Sequence, residues 1–444
     1  MADKEPGALT GRWRTLLAPL EIAAFRRLWM ADVISLLGDW AGRLALTVLV
    51  LERTGSPAWA AGVTAVSLAG FVGIGQVLAT LADRYGRITV MLVADVARAA
   101  LFFAMLLPVP VGSLLVLAFL AGLATPPFEA ARSAALPDLV PEDRYGEALA
   151  LAGISVQSSL VVGYALGGVL LSLVGAQTAL ALNAATFLVS AVLLLGLRGS
   201  PAARPAAERF NVTRSLRAGA TALFGDRMVR RALSIVAVTG ALGTVAEALV
   251  VPYAAHIGLG RGVLGLLAAA VPVGTLLATA VIATGTRDHH ALLRNAAWCG
   301  TLTAAAAAPL FWWQARGPLA FLAFAVAGAI FAVSIPANTV IGMRLTRDTR
   351  ASAMGIAVGV LMGSQALGAG LGGLVASAIG SPHAIAGALA AAAAFGLWAV
   401  VTTPVEGRHL ARPLRATPLV DDVIDLDSVE ASQSVEAPQS VVVS

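Results

Sequence analysis

Twelve apolar runs, each about 20 residues long, constrain this sequence more than any other feature. A helix of about that length crosses the ~30 Å hydrocarbon core of a bilayer. Inside that core every backbone polar group needs a partner within the protein, so only helices and closed barrels can span it. The runs fall at 28–51, 58–80, 89–108, 113–134, 147–173, 177–197, 232–256, 262–284, 292–313, 317–342, 352–379 and 383–402. They are too long for barrel strands of roughly ten residues. Of 444 residues 58% are hydrophobic and 12% charged, where a soluble domain carries about 25% charged residues. The predicted class is an all-α membrane protein with twelve transmembrane helices in two pseudo-symmetric six-helix bundles.

Residue types narrow the chemistry. Lys4 is the sole lysine and lies in the polar N-terminal segment, so no lysine is available to a phosphate-binding loop. Cys299 is the single cysteine, which removes disulfide and thiolate-metal frameworks. His256, His289, His290, His383 and His409 show no metal-protease spacing. No metal, cofactor or enzymatic site is expected. The net charge of +5 does not point to nucleic acid, because the arginines are scattered between apolar runs.

Those arginines orient the chain. Arg26 and Arg27 precede the first span, Arg84 and Arg87 follow the second, and Arg144 lies between the fourth and fifth. Residues 198–231 hold eight more, and Arg344, Arg347 and Arg350 follow the tenth span. The opposite side has Arg53, Arg261 and Arg316. The positive-inside rule places both termini in the cytoplasm. The expected organisation is a cytoplasmic segment 1–27, a first bundle 28–197, a linker 198–231, a second bundle 232–403 and a tail 404–444. That tail is polar and acidic, and is expected to be disordered. The arginine bias suits a bacterial plasma (inner) membrane, with the protein a monomer.

An internal repeat joins the bundles. GSLLVLAFLAG at 112–122 matches GPLAFLAFAVA at 317–327, and GYALGGVLLSLVG at 163–175 matches GAGLGGLVASAIG at 368–380, both at an offset of 205 (368 against 163). Parallel repeats of this kind rock about a midplane site in secondary transporters. The GxGxxG at 368–373 follows no strand, so it reads as helix packing rather than dinucleotide binding.

Charge inside the spans marks candidate sites, because an ionisable group at mid-bilayer costs about 2.5–3.5 kcal/mol on the insertion scale. Asp32, Ser35, Asp39 and Arg43 recur every three or four residues and share a helical face, either lining a central cavity or forming a stabilising intrahelical pair. Glu247 is the sole acid of span 7 and aligns with Arg43 across the repeat (247 less 204). An Arg43–Glu247 bridge is therefore expected, with Asp39, Arg43, Glu247 and Asp32 as proton-coupling candidates. Asp95 and Arg98 are expected to brace the 2–3 connection. Glu129 and Arg132, beyond Pro126 and Pro127, fit a gate or an anchor. Trp40, Gln157, Asn338 and Gln365 are cavity candidates.

The connection ATLADRYGRITVM at 79–91 resembles the G-x-L-A-D-R-x-G-R-[KR] signature of the major facilitator superfamily. Asp83, Arg84, Gly86 and Arg87 match it, while Ala79 and Ile88 depart from it. The resemblance implies that Asp83 latches the facing half with the arginines as counter-charges. GYALGG resembles the G-P-x-x-G-G element of proton antiporters at Gly163, Gly167 and Gly168, with Tyr164 in the proline position. The opening FRRLWMADVISLLGDW resembles the enterobactin-exporter and macrolide-efflux subgroup, with Asp32 where glutamine is usual. These likenesses imply a proton-coupled exporter of a small amphipathic molecule such as a drug, an antibiotic-like metabolite or a siderophore. A facilitator or importer of a nutrient or lipid on the same fold is the alternative.

Overall fold

The computed structural model describes residues 15–79, 85–199, 212–282 and 289–403. Asp83, Arg84 and the 404–444 tail lie outside these residues. Among the described residues all regular structure is helical. Span 1 is Ala23–Thr54, span 2 Pro57–Ala69 with Ile74–Ala79, span 3 Arg87–Ala104, span 4 Val111–Leu123 with Thr125–Leu139, span 5 Tyr145–Leu173 and span 6 Gly175–Leu195. Span 7 is Arg227–Ala248 with Val250–His256, span 8 Arg261–Ile282, span 9 His289–Trp312, span 10 Pro318–Gly328 continuing to Arg344, span 11 Arg347–Ile379 and span 12 Ser381–Thr402. Nine of these passages are individually long and apolar enough to cross a membrane. Span 3 falls short of that measure because Arg87, Asp95 and Arg98 crowd its 18 residues.

Two expectations need correction. Span 2 is not one continuous rod: it breaks between Ala69 and Ile74, where Gly73 turns at φ 62°, a conformation that only glycine adopts without strain. The 198–231 segment is not merely a linker either. Val212–Gly225 forms a helix, and span 7 already begins at Arg227. Asp226 caps it, accepting from the N–H groups of Met228 and Val229 at 2.7 and 3.3 Å and from Arg344 Nε at 2.8 Å. Burial pushes the Asp226 carboxyl up, but Arg344 and the capping N–H groups outweigh it and hold it below the usual carboxylate range.

The other interruptions have a covalent cause. Pro126 and Pro127 supply no N–H to the carbonyls of Gly122 and Leu123, and span 4 breaks there. Pro252 cannot donate to Ala248, and span 7 breaks after that residue.

Glycines set the packing. A Cβ on Gly163 would lie 2.8 Å from Trp40 Cβ, and one on Gly167 2.9 Å from Ala41 Cα, so span 5 rides directly on span 1. At the repeat positions, Gly368 meets the Ala241 carbonyl and Gly372 meets Val245, seating span 11 on span 7. The next glycine in each repeat crosses between the halves. A Cβ on Gly168 would approach Gly265 N to 2.5 Å, and one on Gly373 would approach Ala61 Cβ to 2.7 Å. Gly122 against Ser67 O and Gly328 against Val271 O make a like contact in spans 4 and 10, one residue out of that register (328 less 122 is 206). The repeat seen in sequence is thus a repeat of contacts, and spans 5 with 8 and 11 with 2 form the seam between halves.

Gly168→Val is expected to cost about 1–3 kcal/mol, the usual range for overpacking, and to lower the melting temperature of the purified protein by several degrees. Gly146→Val, on the same helix where a Cβ meets nothing within 4 Å, is expected to leave it nearly unchanged. Differential scanning fluorimetry reads both.

Candidate functional site

Span 1 presents its charged face to two different places. Towards the arginine-poor end, Arg43 lies 3.8 Å from Asp39 one turn earlier, and its guanidinium stacks 4.5 Å above the Trp40 ring. Trp40 in turn contacts Tyr164 of span 5 at a centroid distance of 5.4 Å. The Tyr164 hydroxyl donates a 2.9 Å hydrogen bond to Glu247 Oε1 of span 7. The expected Arg43–Glu247 ion pair is absent from this structure. Tyr164 stands between the two halves and takes the carboxylate instead, its ring held over span 1 by the close approach of Gly163. Trp40 Nε1 is buried without a hydrogen-bond partner.

Towards the arginine-rich end, Asp32 turns away from that cluster. It lies 3.4 Å from Arg132 of span 4, whose guanidinium also holds Glu129 at 2.6 Å. The stripe expected from Asp32 to Arg43 is therefore divided. Glu129 and Arg132, expected as a gate or anchor, share their guanidinium with span 1. Ser35 donates to the Asp32 backbone carbonyl at 3.0 Å.

Asp95 and Arg98 pair at 2.5 Å in the interior of the first half. Asp95 also accepts from Ser190 of span 6 at 2.6 Å. The Arg98 guanidinium lies between Phe128 and Phe187, 4.6 and 4.4 Å from their centroids. These contacts tie span 3 to spans 4 and 6, where the sequence suggested a brace for the 2–3 connection. From that connection Arg87 pairs with Asp138 at the end of span 4, and Gly86 turns at φ 82°. Gln157, Asn338 and Gln365 are half-buried, and Gln365 packs where span 11 meets Gly240. Among the described residues no three His, Cys, Asp or Glu side chains converge as metal ligands.

Sequence reasoning missed Trp29, whose indole N–H donates to Ser155 of span 5 at 2.7 Å, and Asn183 of span 6, buried against Gly38 and Gly42. Trp29 lies three residues before Asp32, on the same helical face; that spacing was the available signal.

Among the described residues, the side-chain hydrogen bonds joining the halves sit at or near the arginine-poor end. Besides Tyr164–Glu247 they are Arg261 to Glu52 at 2.6 Å and Ala58 N–H to Ser377 at 3.1 Å. This arrangement, two bundles related by a contact repeat, is that of a membrane transporter. The Major Facilitator Superfamily model matches residues 28–341, and the chain belongs to that family. It is a multi-pass membrane protein of the transporter type. An uncharacterised MFS-type transporter, YfiS of Bacillus subtilis (strain 168), is 30% identical over 168 residues, 38% of this chain and 40% of that protein. Among solved structures, a POT family transporter in complex with 5-aminolevulinic acid superposes with a TM-score of 0.70 at 13% identity, covering 86% of this chain and 96% of the other. A bacterial homologue of the human lysosomal transporter Spinster, inward-facing and unoccupied, gives 0.69 at 16% identity over 86% and 98%. At these identities the likeness is one of fold.

Tyr164→Phe is expected to leave Glu247 without its donor. Hydrogen bonds within membrane bundles are worth about 0.6 kcal/mol on average and at most about 1.7. A double-mutant cycle of Tyr164→Phe and Glu247→Gln, read by unfolding of the purified protein, should return a coupling within that range.

Proposed function

We propose that this chain exports a small amphipathic organic molecule in exchange for protons, by alternating access in a bacterial plasma membrane. The observation that carries the reading is the Tyr164–Glu247 hydrogen bond. It places the one acid of span 7 on the seam that must open, beside the Asp39–Arg43 pair of the other half. In the proposed cycle a proton from the external side neutralises Glu247 while the halves are parted at this end, they close on the Tyr164–Glu247 hydrogen bond, and the proton leaves to the cytoplasm. When Glu247 loses the proton, Arg43 exchanges Asp39 for it, making the interhalf bridge the repeat predicts.

With the arginine-rich end cytoplasmic, the end that carries the interhalf hydrogen bonds is external, which supports an inward-facing reading. The energy comes from an ion gradient, since the sole lysine lies outside the spans; the membrane potential alone supplies about 2.3 kcal/mol per charge per 100 mV. The GYALGG element and the opening segment support export. Efflux into everted vesicles, with and without a protonophore, tests the direction and the coupling. Asp39→Asn and Glu247→Gln are each expected to lower proton-driven transport at least tenfold. Wild-type rates in both variants would overturn the reading.

A further inference from the structure

Asp39 and Arg43 come only to 3.8 Å of each other, beyond the roughly 2.7–3.2 Å of a direct N–H···O bond. Among the described residues neither side chain makes a direct hydrogen bond, although Asp39 is only 20% and Arg43 18% exposed. A polar contact across such a gap is one that water can bridge, and the space for it lies alongside. Asp39 and Arg43 line a cavity of about 20 Å³ with Ser67 of span 2, Arg98 of span 3 and Thr125 of span 4. A buried water needs about 10–15 Å³ of room and two to four polar partners, so one water fits and an organic molecule does not. The lining also selects water over an ion: a cation would face two guanidiniums, and an anion the Asp39 carboxylate. The broken helices make this place, for Gly122 of span 4 lies against the Ser67 carbonyl, close to the break in each span. Ser67 donates its proton to the Val63 carbonyl at 2.8 Å, which leaves its oxygen to accept. Thr47 and Thr54 turn their hydroxyls back on the carbonyl four residues earlier. Thr125, the first residue of the second segment of span 4, makes no such bond among the described residues and is able to donate.

We propose that this cavity is a site for a single water that completes the Asp39–Arg43 pair. The water donates to the Asp39 carboxylate and to the Ser67 oxygen, and accepts from Arg43 and from the Thr125 hydroxyl. Spans 1, 2 and 4 are thereby tied through one molecule, with the Asp95–Arg98 pair of span 3 behind it. The site deepens the transport reading and rests on it for one claim: a pair joined through water lets Arg43 leave Asp39 for Glu247 without breaking a direct bond between them. The water itself is separable from transport. A crystal structure of the full-length protein grown in a lipid mesophase, at a resolution that shows ordered solvent, reads it directly, and thermal unfolding of the purified protein reads it in solution.

Density within hydrogen-bonding distance of Asp39, Arg43 and Thr125 is expected in the wild type. Thr125→Val keeps the shape of the side chain but not its hydroxyl, and is expected to lose that density, whereas Thr125→Ser keeps it. Ala118 also lines the cavity, so Ala118→Val supplies a second variant that fills the space and leaves every polar group in place. In solution, Ser67→Ala and Thr125→Val remove two partners of the same molecule, so their effects should not add. The double variant is expected to melt at least about 2 °C above the sum of the two single losses. A wild-type structure without the density, density that persists in both Thr125→Val and Ala118→Val, or strictly additive melting shifts overturns the site. An ordered water in a protein whose Asp39→Asn and Glu247→Gln variants transport at wild-type rates would sink the transport reading and leave the site standing. Transport that depends on both acids, in a protein without the water, would do the reverse.

Discussion

Backbone lying directly on backbone is what the two halves depend on where they meet. Lipid tails are as apolar as leucine, so hydrophobicity does not press helices together inside a membrane, and close packing of small residues does that work. Gly168 on Gly265, and Gly373 on Ala58 and Ala61, leave no side chain between the helices they join. Few polar bonds add to this. The Arg261–Glu52 pair is largely exposed and worth at most about 1 kcal/mol. Each half is bound internally by more interlocking contacts. Tyr253, Phe311 and Phe324 meet edge to face in the second, and Arg98 is clasped between two phenylalanines in the first. Rigid halves and a smooth, thinly bonded seam are the mechanical requirements for rocking.

The placement of polar groups follows the same division. One cluster, Asp39–Arg43–Trp40–Tyr164–Glu247, straddles the seam between the halves. The other, Asp32–Arg132–Glu129, lies wholly inside the first half. Span 1 serves both because Asp32 and Asp39 are seven residues apart, two helical turns, and so stack on one face about 10 Å from each other.

Much of the fold was legible in the amino-acid sequence because bilayer thickness converts directly into run length. The 205-residue offset was equally legible, since glycines needed for close approach leave no alternative residue. What could not be read was which neighbour each charge would choose. Helical spacing put Asp32 and Asp39 on one face, yet Arg132, some hundred residues away in sequence, claims the first. The Arg43–Glu247 pairing followed from symmetry, and symmetry fails at Tyr164. The residue opposite it in the repeat, Ala369, has no hydroxyl to interpose. Gly70 and Gly73 were lost within an apolar run, because hydropathy registers no difference between a helix and a helix that is broken.

The ionised groups embedded in the spans are distributed unequally between the halves. Asp32, Asp39, Arg43, Asp95, Arg98, Glu129 and Arg132 belong to the first; within its spans the second offers Glu247, with its other charges at helix ends. The four acids and three arginines of the first half sum to one negative charge, the same as Glu247 alone in the second. A transmembrane field therefore pulls on both bundles about equally, and what sets the first apart is its ion-pair dipoles, which a tilt of that half would turn in the field.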